Sequence, residues 1–274
     1  MIKIAHESPK SIFSEVQRFT DYDYALVHLF EEDTEYFNLF KEALDNGREV
    51  ILDNSIFELG TAFDAERYAY WIKKLKPTYY IIPDALENIN GTIEQCRNWL
   101  NFYENVPGKK IGVVQGQSYE DLVACYRYMD QSANVDVIAI SFDYSYYSRT
   151  VPNPNTLVSW ALGRVKLLGD FYRDGIINIT KPHHLLGCSL PQEFSFYNNM
   201  DWKWITSLDT SNPVVHGIKG IRYNSSGLFT KESQKLFEMI NYDREKIDLS
   251  AVRHNIHSFR EITNGTIKTV DSLL

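Results

Sequence analysis

Residues 50–60 read VILDNSIFELG. An apolar, strand-like run ends abruptly on a carboxylate and an amide, Asp53 and Asn54. A buried Asp costs several kcal/mol unless something pairs with it, so this position asks for a partner or a task. The pattern recurs along the chain. Residues 79–84 read YYIIPD, 110–115 KIGVVQ, 135–141 VDVIAIS and 204–209 WITSLD. Each is a short run, apolar on both faces, that closes on a polar side chain. Strands of this kind are those of a parallel sheet covered on both faces.

Amphipathic stretches lie between these runs. Residues 33–46 carry Phe37, Phe40, Ala43 and Leu44 at helical spacing, with Gly47 as a stop. Residues 64–76 begin acidic and end basic, as the helix dipole prefers, and Pro77 closes them. Further helices are expected at 92–103, 119–129, 157–172, 191–197, 230–240 and 250–262. Strands are expected at 24–30, 184–188 and 216–221 as well, and residues 142–155 as a long loop rich in Tyr, Ser, Pro and Asn. Eight strands alternating with helices imply a parallel sheet. They favour an α/β fold of the (β/α)8 TIM-barrel class, one domain over residues 1–274, with the helices of about 230–274 packed outside. The 274 residues match the length of such a barrel, roughly 250. A doubly wound open sheet is the competing architecture.

Composition narrows the function classes. A net charge of −8, from 36 acidic and 28 basic residues, gives no global basic field for nucleic acid, though a local basic face is compatible with it. Cys96, Cys125 and Cys188 are sparse and odd in number, which argues against a disulfide framework and fits a reducing compartment. No C-x-x-C pair suggests structural zinc, and His183, His184 and His216 lack a second ligand at metal-binding spacing. No metal or other cofactor is expected. The start, MIKIAHESPK, has no signal-peptide core, and no apolar run reaches the ~18 residues of a membrane span. The expectation is a soluble cytoplasmic protein, in the host cytoplasm if phage-encoded, with no membrane partner.

In a barrel of parallel strands, the reacting groups sit at the carboxyl ends. Asp53, Asp84, Gln115-Gly116, Ser141, Gly187 and Asp209 all fall there. The opposite ends begin with ordinary residues such as Glu49, Thr78, Lys109 and Asn134. Each has a bland reading, since Asp after a strand is often an N-cap or turn residue. Taken on one rim, several carboxylates resist simultaneous ionisation and suit a division of acid and base roles. The Tyr-rich 142–149 stretch fits either base stacking or a packed lid. No phosphate loop of the G-x-x-x-x-G-K type occurs.

In their order, these motifs resemble the queuine tRNA-ribosyltransferase (tRNA-guanine transglycosylase) superfamily. Asp53 to Glu58, DNSIFE, stands where that family has D-S-G-G-[FY]-Q. Pro83-Asp84-Ala85-Leu86 resembles F-D-E-C, and residues 112–117, GVVQGQ, resemble G-I-V-Q-G-G. Residues 139–144, AISFDY, loosely resemble G-L-A-V-G-E. Residues 184–189, HLLGCS, resemble Y-L-M-G-V-G, with 190–193, LPQE, like the T-P-E-D that follows. Residues 208–213, LDTSNP, resemble F-D-C-V-x-P-T-R. The resemblance covers about residues 50–215. The paired glycines of the first motif and the C-x-C-x-x-C…H zinc site are absent, which points toward the compact phage and bacterial DNA-modifying branch (DpdA type).

The resemblance implies a (β/α)8 enzyme, a pentosyltransferase that replaces guanine in a polynucleotide with a 7-deazaguanine such as 7-cyano-7-deazaguanine. DNA is the expected polynucleotide, ahead of tRNA. It implies Asp209 as the nucleophile and Asp53 as the proton shuttle. Asp84 and Gln115 would hydrogen-bond the base edge and Phe57 would stack on it. Asn54, Gly116, Ile140, Ser141 and Gly187 complete the implied substrate-binding set. A retaining nucleoside or glycoside hydrolase using the same carboxylates, and a barrel that binds nucleic acid without turnover, remain as rivals.

Overall fold

The computed structural model describes residues 1–200, 202–225, 227–228, 230–231, 235–266 and 273. Among the described residues eight strands are present: β1 (Lys3–Ala5), β2 (Asp23–Leu26), β3 (Val50–Asp53), β4 (Tyr79–Ile81), β5 (Lys109–Val113), β6 (Val137–Ser141), β7 (His183–Leu186) and β8 (Ile205–Asp209). They form one sheet in the order β1-β8-β7-β6-β5-β4-β3-β2. The pairings β1–β8, β2–β3, β3–β4, β4–β5 and β5–β6 are parallel and in defined register. A doubly wound sheet reverses its strand order at a switch point. This order has no reversal and brings the first strand beside the last, which is the topology of a (β/α)8 barrel.

Two strand expectations are corrected. The eighth strand is β1 at the N-terminus, not residues 216–221. The first three of those residues end a helix, Asn212–Ile218, which begins with Pro213 in its first turn, where the missing N–H costs nothing, and none of the six is strand. His216 Nδ1 there bonds the carbonyl of Asn212, one helical turn back. Residues 24–30 also split. β2 stops at Leu26, where its partner stops at Asp53, and Val27–Glu32 turns into helix. The expected 142–155 loop contains a helix, Ser145–Thr150. Of the expected 230–240 helix, residues 232–234 lie outside the described residues, and Leu236–Met239 is a 3₁₀ turn. The last helix, Leu249–Thr263, is as expected.

The chain divides into two compact units. One comprises Tyr22–Ile140 and Thr180–His184. Its helices are closed by side chains whose sequence positions suit the purpose. Asp33 and Asp64 accept backbone N–H bonds from Tyr36 and Arg67, and Ser118 with Asp121 forms a capping box on Tyr119–Arg127. Phe30, Tyr36, Phe37, Phe40 and Trp71 pack as one aromatic cluster, with ring centroids 4.9–6.2 Å apart. The buried Tyr68 hydroxyl bonds the carbonyls of Leu52 (3.0 Å) and Ile81 (2.8 Å), tying together the ends of β3 and β4.

The other unit comprises Met1–Asp21, Ser141–Ile179 and Leu185–Leu274. One apolar cluster joins Ile12 and Val16 to Val214, Val215 and Ile218 and to Val252 and Ile256. Helix Asn212–Ile218 lies so close to helix Leu249–Thr263 that a Cβ on Gly217 would stand 2.5 Å from Val252 Cα. The Tyr-rich stretch also lies in this unit. Tyr144 and Tyr147 are buried, and the Tyr147 hydroxyl donates to the carbonyl of Ser141 at 2.9 Å. Those two rings pack inward, the packed alternative of the two readings.

Candidate active site

In the first unit, the ends of β3, β4 and β5 bring three of the expected residues into one hydrogen-bonded set. Asp84 is 1% exposed. Its Oδ1 accepts from Asn54 Nδ2 and its Oδ2 from Gln115 Nε2, both at 2.7 Å. Asn54 Nδ2 also bonds the carbonyl of Ile82, and Asn54 Oδ1 accepts from Ile56 N. Gln115 is fixed at both ends: its Oε1 accepts from Glu87 N at 2.8 Å, and its own N–H meets Cys125 Sγ. Burial pushes the Asp84 carboxyl up to about 6. The Asn54 and Gln115 amides oppose that rise, and the charge of Asp53 adds to it.

Asp53 is only partly buried and ends β3. Its Oδ2 accepts from the Tyr24 hydroxyl and its Oδ1 from Ser55 N, each at 2.5 Å. The second bond closes a tight turn, with Ser55 left-handed at φ 61°. The bland turn reading of Asp53 is therefore realised, and the Tyr24 bond comes in addition. Desolvation raises its pKa above the ordinary value, against the pull of Tyr24, of the Ser55 amide and of His184. The fully buried His184 ring stacks on Tyr24, 6.2 Å between centroids and 9° from parallel. Phe57 sits on the short helix Ile56–Leu59 and is 41% exposed. Gly116 packs where a Cβ would stand 2.6 Å from Asp121 Cβ, at the start of the next helix. Ile140 is wholly buried in β6.

In the second unit, Asp209 closes β8 and is buried. Gly187 N donates to its Oδ1 at 3.4 Å. The N-cap of the helix that follows is Ser211, so that position is not taken by Asp209. His6 lies beside it, one residue past β1, with Ala5 paired to Asp209 in the sheet. The His6 Nδ1 bonds the carbonyl of Thr210 at 2.9 Å, and burial lowers its pKa to about 4, so the ring is neutral. Ser141 Oγ donates to Asp143 Oδ1 at 2.8 Å.

Three groups were not singled out in the sequence. Tyr24 is masked by its place in a continuous apolar run. His184 attracts notice only as a possible ligand, and the two aromatic runs that place it under Tyr24 are 160 residues apart by numbering. Arg164 had a readable signal, since it sits between Ala161, Val165 and Leu168 on the apolar face of helix Thr156–Arg173. A charge there needs a buried partner.

Nucleophilic cysteine chemistry is not supported. All three thiols are buried and free, and burial pushes Cys96 up to about 11 and Cys125 up to about 12. Among the described residues, no group of three or more His, Cys, Asp or Glu side chains is placed to hold a metal ion. No helix among them is long and apolar enough to cross a membrane.

No family model matches the chain, and no curated protein matches it. Among solved structures it is similar to the crystal structure of the Amycolatopsis orientalis BexX/CysO complex. The identity is 12%, over 78% of this chain and 69% of that one, with a TM-score of 0.34. A likeness at that level carries no argument.

Proposed function

We propose that this protein is a pentosyltransferase that exchanges guanine in a polynucleotide for a 7-deazaguanine base. The observation that carries the reading is Asp53. It is a carboxyl at a strand end, with a raised pKa, held by a phenol and a backbone N–H, beside a second carboxyl that is raised as well. Such a group keeps a proton at a pH where an ordinary Asp has lost it, which a leaving base requires.

In the proposed reaction, an Asp209 carboxylate oxygen attacks C1′ of the target nucleoside. The C1′–N bond breaks, its electron pair stays with guanine, and the proton of Asp53 goes to the departing base. The intermediate is an aspartyl-glycosyl ester, as in retaining glycosidases. The incoming base returns its proton to Asp53 as its ring nitrogen attacks C1′, and the Asp209 carboxylate is regenerated. The amide-bearing set of Asn54, Asp84 and Gln115 supports purine recognition, because it holds donors and acceptors in fixed order on a buried carboxyl. DNA is the polynucleotide that the resemblance to the compact branch implies, and a base in duplex DNA would have to leave the stack.

The test offers labelled guanine and 7-cyano-7-deazaguanine with duplex DNA, and in parallel with tRNA. Label entering DNA supports the reading in full. Label entering only tRNA overturns the choice of polynucleotide, and free base released without incorporation makes the protein a hydrolase. Asp209→Asn is expected to abolish the covalent protein–polynucleotide adduct. An adduct that persists would remove Asp209 from the role.

A further inference from the structure

Three consecutive carbonyls at the end of β7 are each held by a cation. Arg164 Nη1 donates to the carbonyl of Leu186 at 2.8 Å, and Arg164 Nη2 to that of Gly187 at 3.0 Å. Lys231 Nζ donates to the carbonyl of Cys188 at 2.8 Å. A backbone turn with every carbonyl bound to a positive charge is unusual enough to need a reason.

The Arg164 guanidinium is fully buried, which is costly unless it is paired. Its Nε and Nη2 meet Glu193 at 2.6 and 3.0 Å, and Tyr197 donates to the same carboxylate. This bidentate geometry keeps the pair ionised. A buried ion pair is weak evidence for stability, since an apolar replacement often serves as well. What an apolar replacement cannot do is bind two carbonyls.

Peptide planarity supplies the consequence. In a trans peptide the N–H points opposite to the C=O. Fixing the Leu186 carbonyl on Arg164 therefore turns the Gly187 N–H the other way, and that N–H is the one that reaches Asp209 Oδ1 at 3.4 Å. The turn admits only glycine at 187. Its φ is +65°, and a Cβ would meet Phe142 Cδ1 at 2.4 Å. Lys231 Nζ packs over that same Phe142 ring, 3.8 Å from its centroid.

We propose that Arg164 and Lys231 are positioning residues for the Asp209 carboxylate, acting through the carbonyls of Leu186, Gly187 and Cys188. This rests on the reading of Asp209 as the nucleophile. The clamp keeps one carboxylate oxygen on a backbone N–H, so the carboxylate is held in one orientation for attack.

The test uses the full chain and two variants. In the first, Arg164→Met is combined with Glu193→Leu and Tyr197→Phe, so that no buried charge is left unpaired. The second is Lys231→Met, a milder change that keeps the question open should the triple variant fail to fold. The readout is the single-turnover rate of adduct formation against the KM for the polynucleotide. The triple variant is expected to form adduct about 10- to 100-fold more slowly, the usual cost of one hydrogen bond to a charged group, with KM unchanged. Lys231→Met is expected to slow it by roughly 3- to 10-fold, also without a change in KM. Folded variants with the wild-type rate would overturn the proposal. A raised, salt-dependent KM in Lys231→Met would make Lys231 a phosphate contact instead.

A second readout does not depend on turnover. Asp209→Asn is expected to shift the Gly187 amide resonance in the wild-type background and to leave it unmoved in the triple variant. Equal shifts in both would sink the clamp. Absence of any adduct in the wild type, with this coupling present, would count against the exchange reaction and not against the clamp.

Discussion

Two buried groups make opposite demands on stability as pH changes, and together they hide each other. The Asp84 carboxyl stands at about 6 in the folded chain, against 3.8 when exposed. That difference corresponds to about 3 kcal/mol. The sign follows from who holds the proton. Between pH 4 and 6 the folded chain keeps it and the unfolded chain does not, so this stability is present below about pH 4 and lost as pH rises to about 6. His6 runs the other way. Burial lowers it from 6.5 to about 4, again about 3 kcal/mol. Its contribution is fully present above 6.5 and lost as pH falls to about 4. Over pH 4–6 the two slopes cancel, so the wild-type profile conceals both and differences between variants reveal them. Relative to wild type, Asp84→Asn should gain about 3 kcal/mol between pH 4 and 6.5. His6→Gln should lose about the same over that range. The new amide at 84 faces the donors of Asn54 and Gln115, which adds a constant offset but no slope. Urea unfolding at fixed ionic strength, followed by circular dichroism and tryptophan fluorescence, gives the curves, and coincident transitions license the free energies. A stability curve for Asp84→Asn that runs parallel to wild type would refute the reasoning, because Asp84 would then titrate alike in both states.

Two further outcomes follow from single contacts. Tyr24→Phe removes the hydroxyl donor from Asp53 Oδ2, so the Asp53 carboxyl should rise further and the alkaline limb of the proposed exchange should move up by about one pH unit. Carboxyl carbon resonances read the titration directly, and an unmoved Asp53 would show the phenol to be only packing. Gly217→Ala sets a methyl 2.5 Å from Val252 Cα. Backbone cannot give way cheaply there, so overpacking should outweigh the helix-propensity gain and lower stability by about 2 kcal/mol, read as a fall in Tm.

The fold was legible wherever the apolar runs were long enough to register. Val50–Asp53 and the repeats after it carry the pattern to Asp209 without a gap. The first strand is three residues long, Lys3–Ala5, and so short a run has no period to detect. The choice of residues 216–221 for the missing eighth strand was the consequence. Pro213 was the clue against it, since a proline there opens a helix. Residues 24–30 failed differently. YALVHLF is apolar throughout, and no local pattern says where it stops being strand. The stop is set from outside, by the end of β3 at Asp53, which leaves nothing for residues beyond Leu26 to pair with.

The candidate site was legible as a row of strand-terminal polar residues and not as a set of bonds. Position along a strand predicts which side chains reach a rim. It does not predict that Asn54 and Gln115 will both turn their amide N–H groups on Asp84, because that depends on the stagger of three strands. The same limit explains Tyr24 and His184. What raises the Asp53 carboxyl is desolvation working against two hydrogen bonds, and each partner is an unremarkable residue in its own segment. Arg164 shows the converse. A charge on an apolar helix face announces that a buried partner exists, yet Glu193 is 29 residues away and nothing local marks it. Single polar residues in apolar contexts are therefore the readable part of a buried site. Their partners become readable only when the topology has already brought the strands and helices into register.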